Sequence, residues 1–485
     1  TMKIDAKCRY ADCLYMNKDF QNAIKEYDYV ITQNKLDADY ASYQKGMAYG
    51  ALGNYDRKIS ILESALSQFP KSNYVASIKY ELANSYLTLD LYPKSLELYT
   101  EITKNYPQSI HAKDSYAKIG MIYYNMGKEK DALIHLKKVV ETYPGTEEAK
   151  SALNNIKTIY IESNNVDEFI AYTKKIPEAE ITQTEQDSIS YQAIENQYMN
   201  GDCQKAINGF KDYISKYPDG AFYASANYYL ADCLMKNAQK QEALQAYENI
   251  IIKPKNEFTE KAILKAANLN FENNNYETAL QEFCLLEQTA EISNHKLQAL
   301  LGEMECYYLL NKFDSTIIVS NKILSLEKTD ENISEKASYY LAKSLLKNAN
   351  SGQAIEEFKK LTSAKNTEYA SEAQYTLAEI QYNNGNLEES EKIILEITSN
   401  PSSEFWLAKA FILWADIFKQ RGNKIQAKQT LQSIIDNYEG DQSIINEAQN
   451  KLDEINNKHT EEQKLQEQKL QEQKEAVDEI IIENK

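Results

Sequence analysis

Four histidines (His111, His135, His295, His459) and six cysteines (Cys8, Cys13, Cys203, Cys233, Cys284, Cys306) are the side chains here best suited to hold a metal or attack a substrate. Metal sites gather such residues, or carboxylates, at the short spacings of one helix face or turn. These histidines are scattered and share no ligand spacing with a cysteine or an acid, so neither a metal nor a cofactor is expected. Phosphate loops, glycine-rich nucleotide-binding turns, Gly-x-Ser-x-Gly elbows and His-Glu-x-x-His helices are missing from the sequence, and with them the recognisable routes to catalysis. No enzyme is expected. The thiols raise a redox question. Cys8 and Cys13 stand five apart, which on one helix points them away from each other; Cys203 with Cys233 is the other pair to test for a disulfide. The alternative, and the expectation, is buried unpaired thiols, which suits a reducing compartment.

Composition narrows the field. In 485 residues, 54 basic against 72 acidic side chains leave a net charge of −18. Neutralising nucleic acid takes clustered Lys and Arg, so DNA and RNA are not expected partners. No apolar run approaches the ~18 residues needed to cross a bilayer. With only 14 Gly and 8 Pro, the chain has too few corners for a sandwich or barrel of this length. Long helices remain.

The elements that must position any site are read from a repeat. Pro70, Pro107 and Pro144 are spaced by 37 residues, and Pro218 falls two periods further on. Each ends one helix and begins the approach to the next. Gly53, Gly127, Gly201, Gly385 and Gly422 share one place in the period, as expected where a helix ends in a left-handed residue. Five residues later comes a small residue (Ala23, Ala132, Ala206, Ala243, Ala279, Ala354, Ala427, with Ser95, Thr316 and Ser390 as substitutes), where helices cross closely. One turn on stand Tyr27, Tyr99, Phe210, Tyr247, Phe283 and Phe358.

This arrangement resembles the tetratricopeptide repeat. Leu82-Ala83, Tyr86, Ser95, Tyr99 and Pro107 make one copy, Ile119-Gly120, Tyr123, Ala132, Leu136 and Pro144 another, and Leu230-Ala231, Ala243 and Tyr247 a third. Twelve copies begin near residues 4, 39, 76, 113, 150, 187, 224, 260, 297, 335, 371 and 408. The resemblance implies an all-α, right-handed solenoid of about twelve helix-turn-helix repeats over residues 1–440. The family's usual period is ~34 residues, and the longer spacing is similar to its bacterial envelope branch, which includes the outer-membrane assembly lipoprotein and the Tol-Pal coordinator. That likeness favours the periplasm or the outer membrane, with the cytoplasm as the alternative. In the fifth copy Phe169 stands where Ala is expected, Thr173 replaces the aromatic, and Pro177 cuts the second helix short. Residues 163–188 are thus a candidate hinge, or a merely degenerate repeat.

In this family the first helices line a concave groove, and the fifth, ninth and twelfth places of each unit look inward. At the fifth place stand Tyr43, Tyr80, Tyr191, Tyr228, Tyr339 and Tyr375; at the twelfth, Tyr15, Tyr124, Tyr198, Phe271, Tyr308 and Tyr382; at the ninth, Asp12, Glu195, Asp232, Glu305, Glu379 and Asp416. Together they describe an aromatic and acidic surface for a protein or peptide partner, extended and basic or apolar. Two readings stand beside it: Tyr at these places also packs between neighbouring repeats, and acids default to a solvated face. The family's Lys/Asn/Arg clamp on a partner's C-terminal carboxylate is not matched. The expected function is a non-catalytic protein-interaction scaffold; the alternative is a structural spacer or assembly subunit of an envelope or secretion complex, working through its convex face and tail.

At the ends, the first helix begins without a polar capping segment, which marks the sequence as a candidate fragment that has lost its signal peptide. Residues 441–460 read as an amphipathic capping helix and 461–485 as a charged tail, either unstructured or docking on something else through Val477-Asp-Glu-Ile-Ile-Ile.

Overall fold

The computed structural model describes residues 2–33, 37–176, 179–327, 329–457 and 468–469, and among these every regular element is an α-helix. The chain divides into two compact units, Thr1–Gln239 and Lys240–Lys485. The first holds α1 (Met2–Met16), α2 (Phe20–Thr32), α3 (Ala38–Ala51), α4 (Tyr55–Gln68), α5 (Val75–Thr88), α6 (Tyr92–Asn105), α7 (Ala112–Asn125), α8 (Glu129–Thr142), α9 (Glu147–Glu162), α10 (Val166–Thr173), α11 (Gln183–Met199), α12 (Cys203–Lys216) and α13 (Tyr223–Lys236). The second holds α14 (Lys240–Ile251), α15 (Thr259–Glu272), α16 (Tyr276–Thr289), α17 (Ser293–Leu309), α18 (Phe313–Leu324), α19 (Glu331–Lys347), α20 (Ser351–Leu361), α21 (Thr367–Asn383), α22 (Leu387–Ser399), α23 (Glu404–Gln420) and α24 (Lys424–Asn437), followed by α25 over 442–457. Through α24, odd-numbered helices open a repeat and even-numbered ones close it. The division falls inside the seventh repeat, between α13 and α14.

Each pair is joined by one left-handed residue. The five glycines of the period take φ between 73° and 81° except Gly127 at 70°. The same left-handed turn occurs in the other seven repeats at Lys18, Asp90, Asn164, Ala238, Asn274, Asn311 and Ala349. Twelve turns of one kind make twelve repeats, so the expected solenoid of helix pairs is the observed fold. A Cβ strains this conformation, most for residues that cannot bond locally as Asn and Asp do. Ala349 at φ 57° is such a residue. Ala349→Gly is therefore expected to stabilise the second unit by about 1 kcal/mol, read as a rise in melting temperature; a fall would show that the turn carries no strain.

The crossing inside each repeat is equally regular. Ala23, Ala132, Ala206, Ala243, Ala279, Ala354 and Ala427 have no accessible surface, and the hydroxyls at Ser95 and Ser390 donate back across the crossing to the Ala83 and Ala378 carbonyls, both at 2.8 Å. The second and fifth repeats are the exceptions, with a lysine at this place in the second and Phe169 in the fifth. Lys58 takes the small-residue place, passes over Gly50, where a Cβ would meet its Cδ at 2.9 Å, and reaches Glu81 of the next repeat at 2.6 Å. Small residues let helix axes approach, and the aromatic one turn on fills the space beside them: Tyr27, Tyr99, Phe210 and Phe358 are all buried.

The irregular fifth repeat closes with the short α10, in which Phe169 and Thr173 are buried. A core running from Ala117 through Ile156, Tyr160 and Phe169 to Ala193 passes straight through it. After it α11 restarts on a reciprocal cap, the Glu185 amide donating to Thr182 Oγ1 at 3.2 Å and the Thr182 amide to Glu185 Oε2 at 2.8 Å. Pro177 and most of 461–485 lie outside the described residues. At the far end, Ile444, Ala448, Leu452 and Ile455 of α25 share a core with Ala408, Ala415, Ala427 and Leu431.

Candidate partner-binding surface

The tyrosines at the fifth place reach across to the repeat that follows. Tyr43 stacks on Tyr74 (ring centroids 5.9 Å apart), Tyr80 on His111 (4.3 Å), Tyr191 on Phe222 (4.4 Å) and Tyr339 on Tyr369 (4.3 Å), while Tyr375 tilts against Trp406 at 5.3 Å. The partner stands 30 or 31 residues on, at the start of the next repeat's first helix. Packing between neighbours, the reading left open by the sequence, is thus where these rings are placed, with Tyr191 and Tyr375 buried and Tyr43, Tyr80 and Tyr339 half-buried. The twelfth-place rings are also packed: Tyr308 meets Tyr340 of the next repeat edge-on at 5.1 Å, Phe271 meets Tyr276 of its own repeat at 5.4 Å, and Tyr382 packs beside the core of Ala378 and Ile394.

The ninth-place acids already hold partners within the chain. Glu195 accepts from the Tyr191 hydroxyl and Glu379 from Tyr375, both at 3.0 Å. Asp232 accepts from Tyr198 at 2.9 Å and pairs with Lys236 at 2.7 Å. Glu305 pairs with Lys336, and Asp416 with Lys451 at 2.7 Å. Asp12 receives both Tyr27 and Tyr40, at 2.7 and 3.2 Å. Burial, with the Asp232 carboxylate beside it, pushes the Tyr198 hydroxyl up to about 12, and burial does the same to Tyr43; both remain protonated donors at neutral pH.

Two clusters emerge, one in each unit. In the first, Tyr198 stacks on Tyr229 at 4.7 Å, Tyr228 lies edge-on to Tyr229 at 6.0 Å, and Lys236 sits 5.3 Å over the Tyr198 ring. In the second, Lys343 lies over the Tyr308 and Tyr339 rings and bonds the Tyr339 hydroxyl at 2.7 Å and Glu372 at 2.8 Å, while Tyr340 meets both rings edge-on. The other sequence-derived residues lie outside both clusters: Tyr191 and Tyr375 bond Glu195 and Glu379, Glu305 pairs with Lys336, Tyr382 packs beside the core of Ala378 and Ile394, and Tyr43, Tyr80 and Phe271 make ring contacts of their own.

Three further observations bear on the sequence reading. Cys203 and Cys233 form a disulfide with Cα atoms 5.2 Å apart, tying the start of α12 to α13 beside Asp232, which corrects the expectation of unpaired thiols for this pair; Cys8, Cys13, Cys284 and Cys306 are unpaired. The described histidines have partners within the fold: burial lowers the His111 imidazole, which bonds Ser77 Oγ at 3.0 Å, His135 stacks on Tyr123, and His295 Nδ1 lies 3.0 Å from the buried Glu260; His459 lies outside the described residues. Among the described residues no group of three or more His, Cys, Asp or Glu could hold a metal ion, and no helix is long and apolar enough to cross a membrane.

The third is Glu303. It is 6% exposed, its Oε1 has no hydrogen-bond partner, and burial followed by repulsion from Glu287, against the weaker pull of Lys322, holds its carboxyl up at about 7. A folded-state value above the unfolded one means the folded chain keeps a proton that the unfolded chain releases. The contribution is complete below about 4.5, falls away as pH rises towards about 7, and is level above it. Glu303→Gln should therefore raise stability at pH 8 by on the order of 2 kcal/mol and change little at pH 4.5. Equal effects at both pH values in thermal melts would contradict this.

Antiparallel helix pairs repeated through both units define a helical repeat protein of the solenoid class. The chain belongs to the tetratricopeptide repeat proteins: residues 171–302 match the family described as "Tetratricopeptide repeat-like domain", and residues 40–72, 114–146 and 339–404 match families described as "Tetratricopeptide repeat". No curated protein sequence matches it. Among solved structures, that of Naa15/Naa10 bound to HypK-THB is similar at 13% identity over 93% of this chain and 79% of that one, with a TM-score of 0.34. The C-terminal part of a TPR repeat-containing protein from Cytophaga hutchinsonii is similar at 21% identity over 53% and 98% of the two chains (TM-score 0.33), and the MamA protein at 22% over 36% and 91% (TM-score 0.31).

Proposed function

We propose that this interaction scaffold is non-catalytic and binds protein or peptide partners on the face carried by the first helices of its repeats. The cluster of Tyr198, Tyr228, Tyr229 and Asp232 carries this reading: half-buried rings held by stacking and hydrogen bonds before any partner arrives. Rings already fixed lose little freedom on contact, and tyrosine offers an apolar face with a polar tip. Because the carboxylates beside them carry tyrosine hydroxyls or lysine ammonium groups, the favoured partner presses apolar and aromatic side chains onto the rings and is not held by charge alone. Its affinity should accordingly change less than about tenfold between ~0.1 M and ~1 M salt, where the Debye length falls from ~10 to ~3 Å. A loss of several orders of magnitude would point to an ionic groove instead.

The spacer reading has its own support. Ile134, Ile318 and Ile425 stand 65%, 68% and 72% exposed on second helices, an apolar supply for contacts on that side. The Cys203–Cys233 bond suits an oxidising compartment such as the periplasm. Hydrogen exchange of a partner complex separates the two readings: protection of α11 and α13 supports the first, and protection confined to second helices supports the spacer.

A further inference from the structure

A cleft of about 610 Å³ opens in the second unit between the first half of α23 and the last half of α24. Its origin is a broken rule of the repeat. In earlier repeats the aromatic that ends the second helix is followed by proline and turns inward onto the first helix: Tyr106 under Lys79 (6.0 Å), Tyr143 against Tyr116 (6.5 Å), Tyr217 against Ser190 (3.3 Å). Their backbones share ψ between 51° and 65°. In the last repeat the equivalent residues are Phe411 and Tyr438, but Glu439-Gly440 replaces the proline. Tyr438 extends to ψ 118°, its hydroxyl accepts from the Asp441 amide at 3.2 Å, and Phe411 stacks on Trp414. The two rings become walls of the cleft, with Leu407 and the buried Ile434 as its floor and the exposed carboxylates of Glu404 and Glu439 at its rim.

No Lys or Arg lines it. Lys409 on α23 and Lys451 on α25 are engaged elsewhere, with Glu447 at 3.0 Å and Asp416 at 2.7 Å. α25 covers the neighbouring apolar face of the same repeat and leaves the cleft open. The volume falls in the range of preformed ligand sites, ~300–1,000 Å³.

We propose that this cleft is a docking site for a cationic amphipathic segment of another protein, which seats a large apolar side chain on Leu407, Phe411 and Ile434 and places flanking Lys or Arg on Glu404 and Glu439. The proposal rests on the scaffold reading but not on the tyrosine clusters. The chain's own C-terminal sequence, Glu475-Ala-Val-Asp-Glu-Ile-Ile-Ile-Glu, is apolar enough but carries the wrong charge for this rim.

The test uses the full chain and a labelled amphipathic peptide of leucine and lysine, with a serine-for-leucine peptide of equal charge as its control. Ser433→Trp, from an exposed position, fills the cleft, and Glu404→Lys with Glu439→Lys inverts the rim; circular dichroism and melting temperature confirm that each variant is folded. The expected result is saturable binding of the leucine peptide, weakened about tenfold or more by either variant, with the serine peptide indifferent to both. Binding within twofold of wild type in both variants, equal binding of the serine peptide, or no binding by wild type would overturn the proposal. Tighter binding after deletion of 461–485 would also overturn it, by making the tail the occupant. None of these failures touches the scaffold reading, which is decided by partner capture on the tyrosine face.

Discussion

Phe210→Ala is expected to destabilise the first unit by roughly 3–5 kcal/mol, the largest effect of any single truncation considered for this chain. Phe210 has no accessible surface and lies among Tyr191, Tyr198 and Tyr229, with ring centroids 6.3–6.4 Å away. It sits one helical turn beyond Ala206, in the space that the small residue opens at the crossing. Removing the ring leaves rigid aromatic walls that cannot collapse onto an alanine. Because each repeat is held only by its neighbours, the loss should be concentrated in α11–α13 and appear there first by hydrogen exchange. Phe210→Leu keeps most of the volume and should cost well under half as much. A cost below about 1 kcal/mol for the alanine variant would mean that this aromatic place does not hold the repeat together.

Breaking the Cys203–Cys233 disulfide is expected to cost roughly 3–4 kcal/mol, the chain-entropy value for a bond closing 30 residues. The bond spans α12 and α13 and is flanked by Tyr198–Asp232 and Asp232–Lys236 contacts, so it reinforces the best-formed tyrosine cluster. Cys203→Ala with Cys233→Ala tests the bond without placing a new hydroxyl in the site of the fully buried Cys233. The double variant and the reduced wild type should melt together, below the oxidised wild type. An oxidised protein that melts no higher than the reduced one would show that the bond contributes nothing to the folded chain.

Much of the fold is legible because the repeat writes it many times. Proline, glycine and alanine recur at the places where a helix must stop, turn and cross. The seven left-handed turns without glycine are less visible: Asn and Asp tolerate that conformation, but Lys18, Ala238 and Ala349 carry no local signal and are recognised only by counting along the period. The tyrosine face was legible as composition and not as geometry. A ring at Tyr191 could line a groove or stack on Phe222, and the choice depends on how one repeat sits against the next. The same holds for Lys336 and Lys451, which neutralise Glu305 and Asp416 from positions the single-repeat pattern does not connect with them, whereas Lys236 stands four residues beyond Asp232 on one helix. Glu303, by contrast, was readable and passed over. It stands at the seventh place of its repeat, where Leu82, Ile119, Leu230, Leu341 and Leu377 stand in others, and a carboxylate at a core place announces a raised titration.

The scaffold account is tested most directly by affinity capture from cytosolic and envelope fractions, with wild-type bait beside a folded Tyr228→Ala/Asp232→Lys/Glu195→Lys variant. The account predicts a partner that wild type retains and the triple variant loses, in one fraction. A partner held equally by both baits would contradict it and move the function to the second helices or the C-terminal segment.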